Sequence, residues 1–327
     1  MKVGKVPNEL LEKIILGKIK KCRGEVVLRP KIGEDCSAVD FGEQLCVVTT
    51  DPITGATNKV GSLAVHISCN DLASSGAEPV GLMITILAPP ETAEKELEEI
   101  MSQITETAAS VNAEILGGHT EITSAVNRLI INCTALGKAC TDKMVTTSGA
   151  KPDNFIIMTK SAGLEGTSII ANDNEKHLVK NLGHEIIKNA KSFIDRISVV
   201  REGLAASKFG ATAMHDATEG GILGAVWELA EASGVGVVIH KDKIPVENET
   251  KKICEVYNID PLKLISSGSM IIAAQDGEGM IKKLENEGIQ ATIIGMTTLD
   301  CGKYIIYNNN KDKIEPPEAD ELYKAVK

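Results

Sequence analysis

The chain has 327 residues, enough for two domains at about 100–200 residues each. Its 35 basic and 45 acidic residues leave a net charge of −10. That excludes general affinity for a nucleic-acid backbone, which needs clustered Lys and Arg, and aromatics at 3% leave no base-stacking platform. The acidic excess does not exclude a phosphorylated small ligand, because acids can hold the metal ions that carry phosphates. No apolar run reaches the ~18–20 residues of a membrane span, and the N-terminus lacks the apolar core of a secretion signal. A cytoplasmic protein without a membrane partner is expected. The cysteines are Cys22, Cys36, Cys46, Cys69, Cys133, Cys140, Cys254 and Cys301. None has the spacing of a zinc knuckle or dithiol motif, so they read as small buried hydrophobes in a reducing compartment.

Along the chain, residues 8–20 read as a helix stopped by Gly24. Strands follow at 36–41 and 45–50, then a helix over 59–76 with Val60, Leu63, Ala64 and Ile67 at helical spacing. Residues 80–88 form a strand closed by Pro89-Pro90. The long helix 92–112 carries an apolar stripe and an acidic first part, favourable near a helix N-terminus. Strands near 113–116 and 128–139 complete the first half. The turn-rich segment 148–154 marks a boundary, giving domains 1–150 and 151–327. The second half alternates a strand at 155–159, helices at 163–172, 178–190 and 197–208, a strand at 211–214 and a helix at 220–233. A strand at 235–239, a helix at 246–257, a strand at 269–274, a helix at 276–287 and strands at 289–296 and 303–307 follow. Both halves are mixed α/β layers. The charged, Pro-containing segment 311–327 reads as loosely held.

No P-loop, dinucleotide-binding glycine motif or nucleophile elbow is present. Acidic and small residues instead gather at the ends of elements. They are the segments Gly33-Glu34-Asp35 to Val39, Thr49-Thr50-Asp51-Pro52, Asn70-Asp71-Leu72-Ala73-Ser74 to Pro79, Leu116-Gly117-Gly118-His119-Thr120-Glu121 and His215-Asp216-Ala217-Thr218-Glu219-Gly220-Gly221. Asp71 lies on or beside the apolar stripe of its helix, and burying an unpaired carboxylate is costly. A hydrogen-bond network or a cation must compensate, and converging acids would make a hard oxygen site for Mg²⁺. Taken singly, each acid is more often a cap or turn former. The two Gly-Gly pairs permit close backbone approach to an anion, as a helix N-terminus after Gly220 would, but a plain tight turn explains them equally well.

The order of these segments resembles the PurM-like (AIR synthase-related) superfamily, closest to the hydrogenase-maturation HypE group. The carriers are the Gly-Glu-Asp-x-x-Ala-Val segment at 33–39, Thr50-Asp51, Asn70-Asp71-Leu72-Ala73, Gly117-Gly118-x-Thr120, and Asp216-Ala217-Thr218-x-Gly220-Gly221. Asp260-Pro261-Leu262 and Ser267-Gly268-Ser269-Met270 add to them. The resemblance implies two α/β domains, the first pairing across a homodimer into a β-barrel. It implies ATP in a cleft, with Mg²⁺ on Asp35, Asp51 and Asp71. Glu121 would join these ligands where the family's acid is replaced by His119. Asn70, Gly117, Gly118, Thr120, Gly220 and Gly221 would line the nucleotide, with Gly117, Gly118 and Thr120 in a phosphate loop. His119 and Asp216 are the catalytic candidates.

HypE proteins end in a cysteine that carries a carbamoyl group. This sequence ends Ala325-Val326-Lys327, with its last cysteine at Cys301. The expected function is therefore ATP-driven activation of a small acceptor, or service to a partner maturation protein. The alternatives are a kinase of the thiamine-phosphate type and a non-catalytic nucleotide-binding scaffold. Cys22-Arg23 lacks the glycine-rich setting of the selenophosphate synthetase nucleophile.

Overall fold

The computed structural model describes residues 6–19, 23–54, 59–141, 144–308, 310–317 and 319–326. Cys22 and Lys327 lie outside the described residues. The first half runs α1 (Asn8–Ile14), β1 (Val26–Leu28), β2 (Ser37–Asp40), β3 (Leu45–Ile53), α2 (Val60–Ser74), β4 (Glu78–Ala88), α3 (Glu94–Ser110), β5 (Glu114–Ile122) and β6 (Ile130–Ala139). Its strands form one sheet in the order β1-β2-β3-β6-β4-β5. β3 and β6 alternate buried and less buried residues, so Val47, Thr49, Ile131, Cys133 and Ala135 face the core.

Helix α2 is the centre of this half. Its Ala64, Val65, Cys69, Leu72 and Ala73 join the sheet core, while Leu63 packs with Ile194 and Ile197 of the second half. A helix covered on several sides has no wet face, which is why polar Asn70 and Asp71 can sit in a buried stretch.

The second half runs β7 (Phe155–Thr159), α4 (Leu164–Asp173), α5 (Glu175–Leu182), α6 (His184–Ser192), α7 (Val200–Phe209), β8 (Ala213–Asp216), α8 (Gly221–Ser233), β9 (Gly236–His240), α9 (Asn248–Tyr257), β10 (Met270–Ala274), α10 (Gly277–Asn286), β11 (Ala291–Thr298), β12 (Lys303–Tyr307), β13 (Asn310–Lys313) and α11 (Leu322–Ala325). These strands form a second sheet in the order β13-β12-β9-β11-β7-β10-β8. All its pairings are antiparallel except β12 with β9. At the junction of the halves, α2 crosses α7 so closely that a Cβ on Gly203 would overlap the Ala73 carbonyl.

Several boundaries differ from the sequence expectations for physical reasons. β3 continues through Asp51 and Pro52, because beyond Val48 it pairs with β6 alone and proline tolerates a one-sided position. The helix expected over 178–190 is two helices, broken where Gly183 adopts φ +87°. The segment from 311 is not loose. It pairs as β13, and Ile314, Asp320, Leu322 and Ala325 are buried. The glycine loop expected at 117–118 is instead the middle of strand β5. A Cβ on Gly118 would overlap the Ile84 carbonyl, so glycine is what lets β5 lie this close to β4.

Candidate active site at the domain junction

Asp35 sits at the end of a loop that docks on the second half. Gly33 turns that loop with φ +81°, and a Cβ there would already touch the Glu228 carbonyl and Ala232 of α8. Glu34 accepts from the Thr147 and Ser148 amides, both at 3.2 Å, tying the loop to the inter-domain segment. The Asp35 carboxylate then receives the Ser74 hydroxyl at 3.0 Å.

Asp71, on the last turn of α2, is 6% exposed. Thr49 on β3 donates to its Oδ2 at 2.6 Å. Burial, followed by the negative charges of Asp216, Asp51 and Asp35, holds the Asp71 carboxyl well above the ordinary carboxylate range, and Asp51 also shares a hydrogen bond with it. Asp216, at the end of β8, is 1% exposed. Burial and the charge of Asp35 push its carboxyl up to about 8, against a smaller opposing pull from His215. Four acids from both halves thus bear on one another. A carboxylate cluster without a cation favours shared protons, and a bound cation would reverse that preference.

His215, the residue before Asp216, is 4% exposed. Its Nδ1 lies 2.8 Å from Asp35 Oδ2 and its Nε2 lies 3.0 Å from Glu228 Oε2 on α8. A neutral imidazole has one N–H and serves one acceptor, whereas the imidazolium serves both. Burial opposes the charge, but Asp35 and Glu228 outweigh it and raise the His215 pKa well above its ordinary value.

Asp35, His215 and Asp216 each place a ligand atom within 4.8 Å of the other two. Asp216 Oδ2 is buried and has no hydrogen-bond partner among the described residues. An orphaned carboxylate oxygen beside other acids is the donor chemistry of a divalent-cation site.

The remaining expected residues lie elsewhere. Asn70 is fully buried, and its amide is consumed by the second half: Nδ2 donates to the Ile197 carbonyl at 2.8 Å, and Oδ1 accepts from the Val199 amide at 2.8 Å. It straps the two halves together. Gly117, Gly118, His119, Thr120 and Glu121 are all exposed along β5, the edge of the first sheet. Asp51 pairs with Cys133, Cys133 with Ile84 and Ile84 with Gly118. Gly118 is therefore three strands from Asp51, about 14 Å at the usual strand spacing. His119 Nε2 lies 3.4 Å from Glu121 Oε2, both in solvent.

The Gly220 amide donates to Asp320 Oδ2 at 2.7 Å, and Pro317 closes over Gly220. This turn is already filled by the C-terminal segment, so it does not present an open anion cradle. A cavity of about 360 Å³ between the halves is lined by Lys59, Gln103, Asn172 and Lys191. Lys59 precedes Asp71 by twelve residues along α2, about 18 Å of helix, so this cavity is separate from the acids. Sequence reasoning quoted His215, Thr49 and Ser74 within its segments without giving them a role, and missed Glu228. The spacing between Glu228 and His215 carries no signal until α8 folds back on β8.

The family model of the AIR synthase related protein N-terminal domain matches residues 33–139, and that of the C-terminal domain matches 151–308. The chain belongs to the AIR synthase related family and has its two-domain PurM-like fold. A Methanocaldococcus jannaschii protein named for hydrogenase expression and formation is 29% identical over 314 residues, covering 93% of this chain and 91% of its own length. The thiamine-monophosphate kinase of Pyrococcus horikoshii is 25% identical over 304 residues, with 84% and 93% covered. The carbamoyl dehydratase HypE of Rhizobium leguminosarum bv. viciae is 24% identical over 286 residues, with 84% and 80% covered. Among solved structures, a HypE–HypF complex matches with a TM-score of 0.77 at 21% identity, covering 94% of this chain and 99% of that one. HypE in complex with ATP matches with a TM-score of 0.69 at 17% identity, covering 99% and 98%. No helix among the described residues is long and apolar enough to cross a membrane.

Proposed function

We propose that this protein binds ATP with Mg²⁺ at the acid cluster and uses it to activate a small acceptor. The observation that carries this reading is the convergence of Asp35, Asp51, Asp71 and Asp216 at the domain junction, with Asp216 Oδ2 left bare. Asp35, Asp51 and Asp71 hold the metal, which supplies charge neutralisation for the polyphosphate. The protein's own share is positioning. Thr49 fixes Asp71, Ser74 fixes Asp35, and the Asn70 strap holds the second half, with Asp216, over the first. Asp216, which faces the cluster from the end of β8, is the catalytic candidate of the second half.

Gly117, Gly118, Thr120, His119 and Glu121 reach a nucleotide in this reading only from a second copy. β5 presents an open sheet edge, and Leu116 and Ile122 on it and Val80 and Met83 on β4 are all exposed. A homodimer pairing through this edge closes a β-barrel and offers the β5 residues to the neighbour's acids. The ATP complex of HypE supports the nucleotide, and the HypE–HypF complex supports a maturation protein as a further partner. The kinase from Pyrococcus horikoshii, similar over nearly its whole length, keeps phosphoryl transfer to a small phosphate ester as the second reading.

The test is ADP formation from Mg²⁺-ATP by the full chain, with and without thiamine monophosphate. The kinase reading requires ADP and thiamine diphosphate in equal amounts. ADP without that product supports a different acceptor. Bound ATP without ADP under any acceptor contradicts both enzymatic readings and leaves a nucleotide-binding scaffold.

A further inference from the structure

His215 is not used by the proposed function, yet it is held on both sides at the site. It is buried, it comes from the second half, and it contacts one carboxylate on each ring nitrogen. Two features of its geometry match a metal-ligating histidine. First, Nε2 faces Glu228 Oε2 at 3.0 Å, the carboxylate–histidine contact that fixes the ring and aims its other nitrogen at a metal. Second, Nδ1 and Asp35 Oδ2 are 2.8 Å apart. Neighbouring ligands on one ion with bonds of about 2.1 Å stand about 3.0 Å apart in an octahedral sphere. Asp216 supplies the third donor within 4.8 Å, and its Oδ2 is the bare buried oxygen.

We propose that Asp35, Asp216 and His215 Nδ1 form one metal position with a nitrogen ligand, suited to a divalent transition metal rather than to Mg²⁺ alone. The inference rests on the reading that the acid cluster holds divalent cations. It adds a ligand and a selectivity to that reading. Mg²⁺ takes oxygen ligands and holds its water, whereas imidazole favours the later first-row ions. Glu228 is the positioning residue: it holds the Nε2–H, so that Nδ1, which faces Asp35 in the metal-free protein, gives up its proton to take the ion.

The probe is Mn²⁺ added to the metal-free full chain without nucleotide, read by pulsed electron paramagnetic resonance for ¹⁴N coupling from a bound imidazole. The coupling is expected in wild type. It is expected to persist in His119→Gln, whose exposed side chain lies beside Glu121. In His215→Gln it disappears while Mn²⁺ still binds the carboxylates. Glu228→Gln keeps the coupling and weakens Mn²⁺ binding about 10–100-fold, the usual cost of a lost metal-ligand support. Bound Mn²⁺ without nitrogen coupling in wild type overturns the inference and leaves the ATP and Mg²⁺ reading standing. In that case His215 is an ion-paired strap between Asp35 and Glu228. Coupling lost in His119→Gln overturns it as well. No Mn²⁺ binding overturns the inference, and the ATP titration with and without cation then decides the metal–nucleotide reading by itself. The wild-type and His119→Gln spectra decide the matter even if His215→Gln fails to fold.

Discussion

Raising the pH should destabilise the metal-free protein, and a divalent cation should remove much of that dependence. Asp216 has an ordinary carboxyl value of 3.8 and is pushed up to about 8 in the folded chain, by burial first and then by Asp35. The folded state therefore holds this proton more tightly than the unfolded chain does. The stability this confers is complete below about pH 4 and is lost as the pH rises to about 8. The shift spans about four pH units at about 1.4 kcal/mol each, a ceiling of about 6 kcal/mol. Relaxation and water entry around a buried charge reduce that to a few kcal/mol. Asp71, also raised, and His215, held protonated by Asp35 and Glu228, act with the same sign. The assay is thermal unfolding followed by circular dichroism in a chelating buffer, from about pH 5 to about pH 8.5, repeated with saturating Mg²⁺. Wild type should lose about 5 °C or more across this range. Asp216→Asn removes the shifted group and should flatten the slope, as should the cation. A slope in chelator of the opposite sign, or one unchanged in Asp216→Asn, would refute the electrostatic account of the cluster.

Two further perturbations test the packing at the junction of the halves and within the second half. Asn70→Ala leaves the buried Ile197 carbonyl and Val199 amide without their side-chain partner and should cost about 2–5 kcal/mol in chemical denaturation. Lys160, just after β7, pairs with Glu202 on α7 and donates to the Ser198 and Gly268 carbonyls at 2.7 and 2.9 Å. Lys160→Met strands the buried Glu202 charge and should cost about 3–5 kcal/mol. The double variant Lys160→Met/Glu202→Leu should recover at least half of that loss, and denaturation midpoints of both variants check it.

Periodic stretches were legible in the sequence. The helix around Leu63 and Ile67 and the long acidic-to-apolar helix stand where their patterns put them, and the second half alternates strands and helices as expected, with shifted bounds. The acids at element ends were legible as chemistry, and three distant segments do bring Asp35, Asp71 and Asp216 together. What stayed hidden depended on tertiary pairing. Gly117-Gly118 read as a loop because glycine pairs usually turn, whereas here they serve the close approach of β5 to β4. The C-terminal segment read as loose because it is charged, whereas Asp320 is buried and accepts from the Gly220, Ile265 and Leu322 amides. The resemblance put Asn70 at the nucleotide, whereas its side chain is engaged with Ile197 and Val199 of the second half, one helical step of about 100° from Asp71. His215 could be assigned no role until its two carboxylate neighbours, 180 residues before it and 13 after it, were placed against its ring.

The most direct measurement of the central claim is isothermal titration of ATP into the full chain, with Mg²⁺ and with chelator, for wild type and Asp71→Asn. The account predicts saturable binding to wild type that requires the cation, and a loss of at least tenfold in affinity in a folded Asp71→Asn. ATP binding that is equal with and without cation, or unchanged in Asp71→Asn, would contradict the assignment of the acids as the metal–nucleotide site.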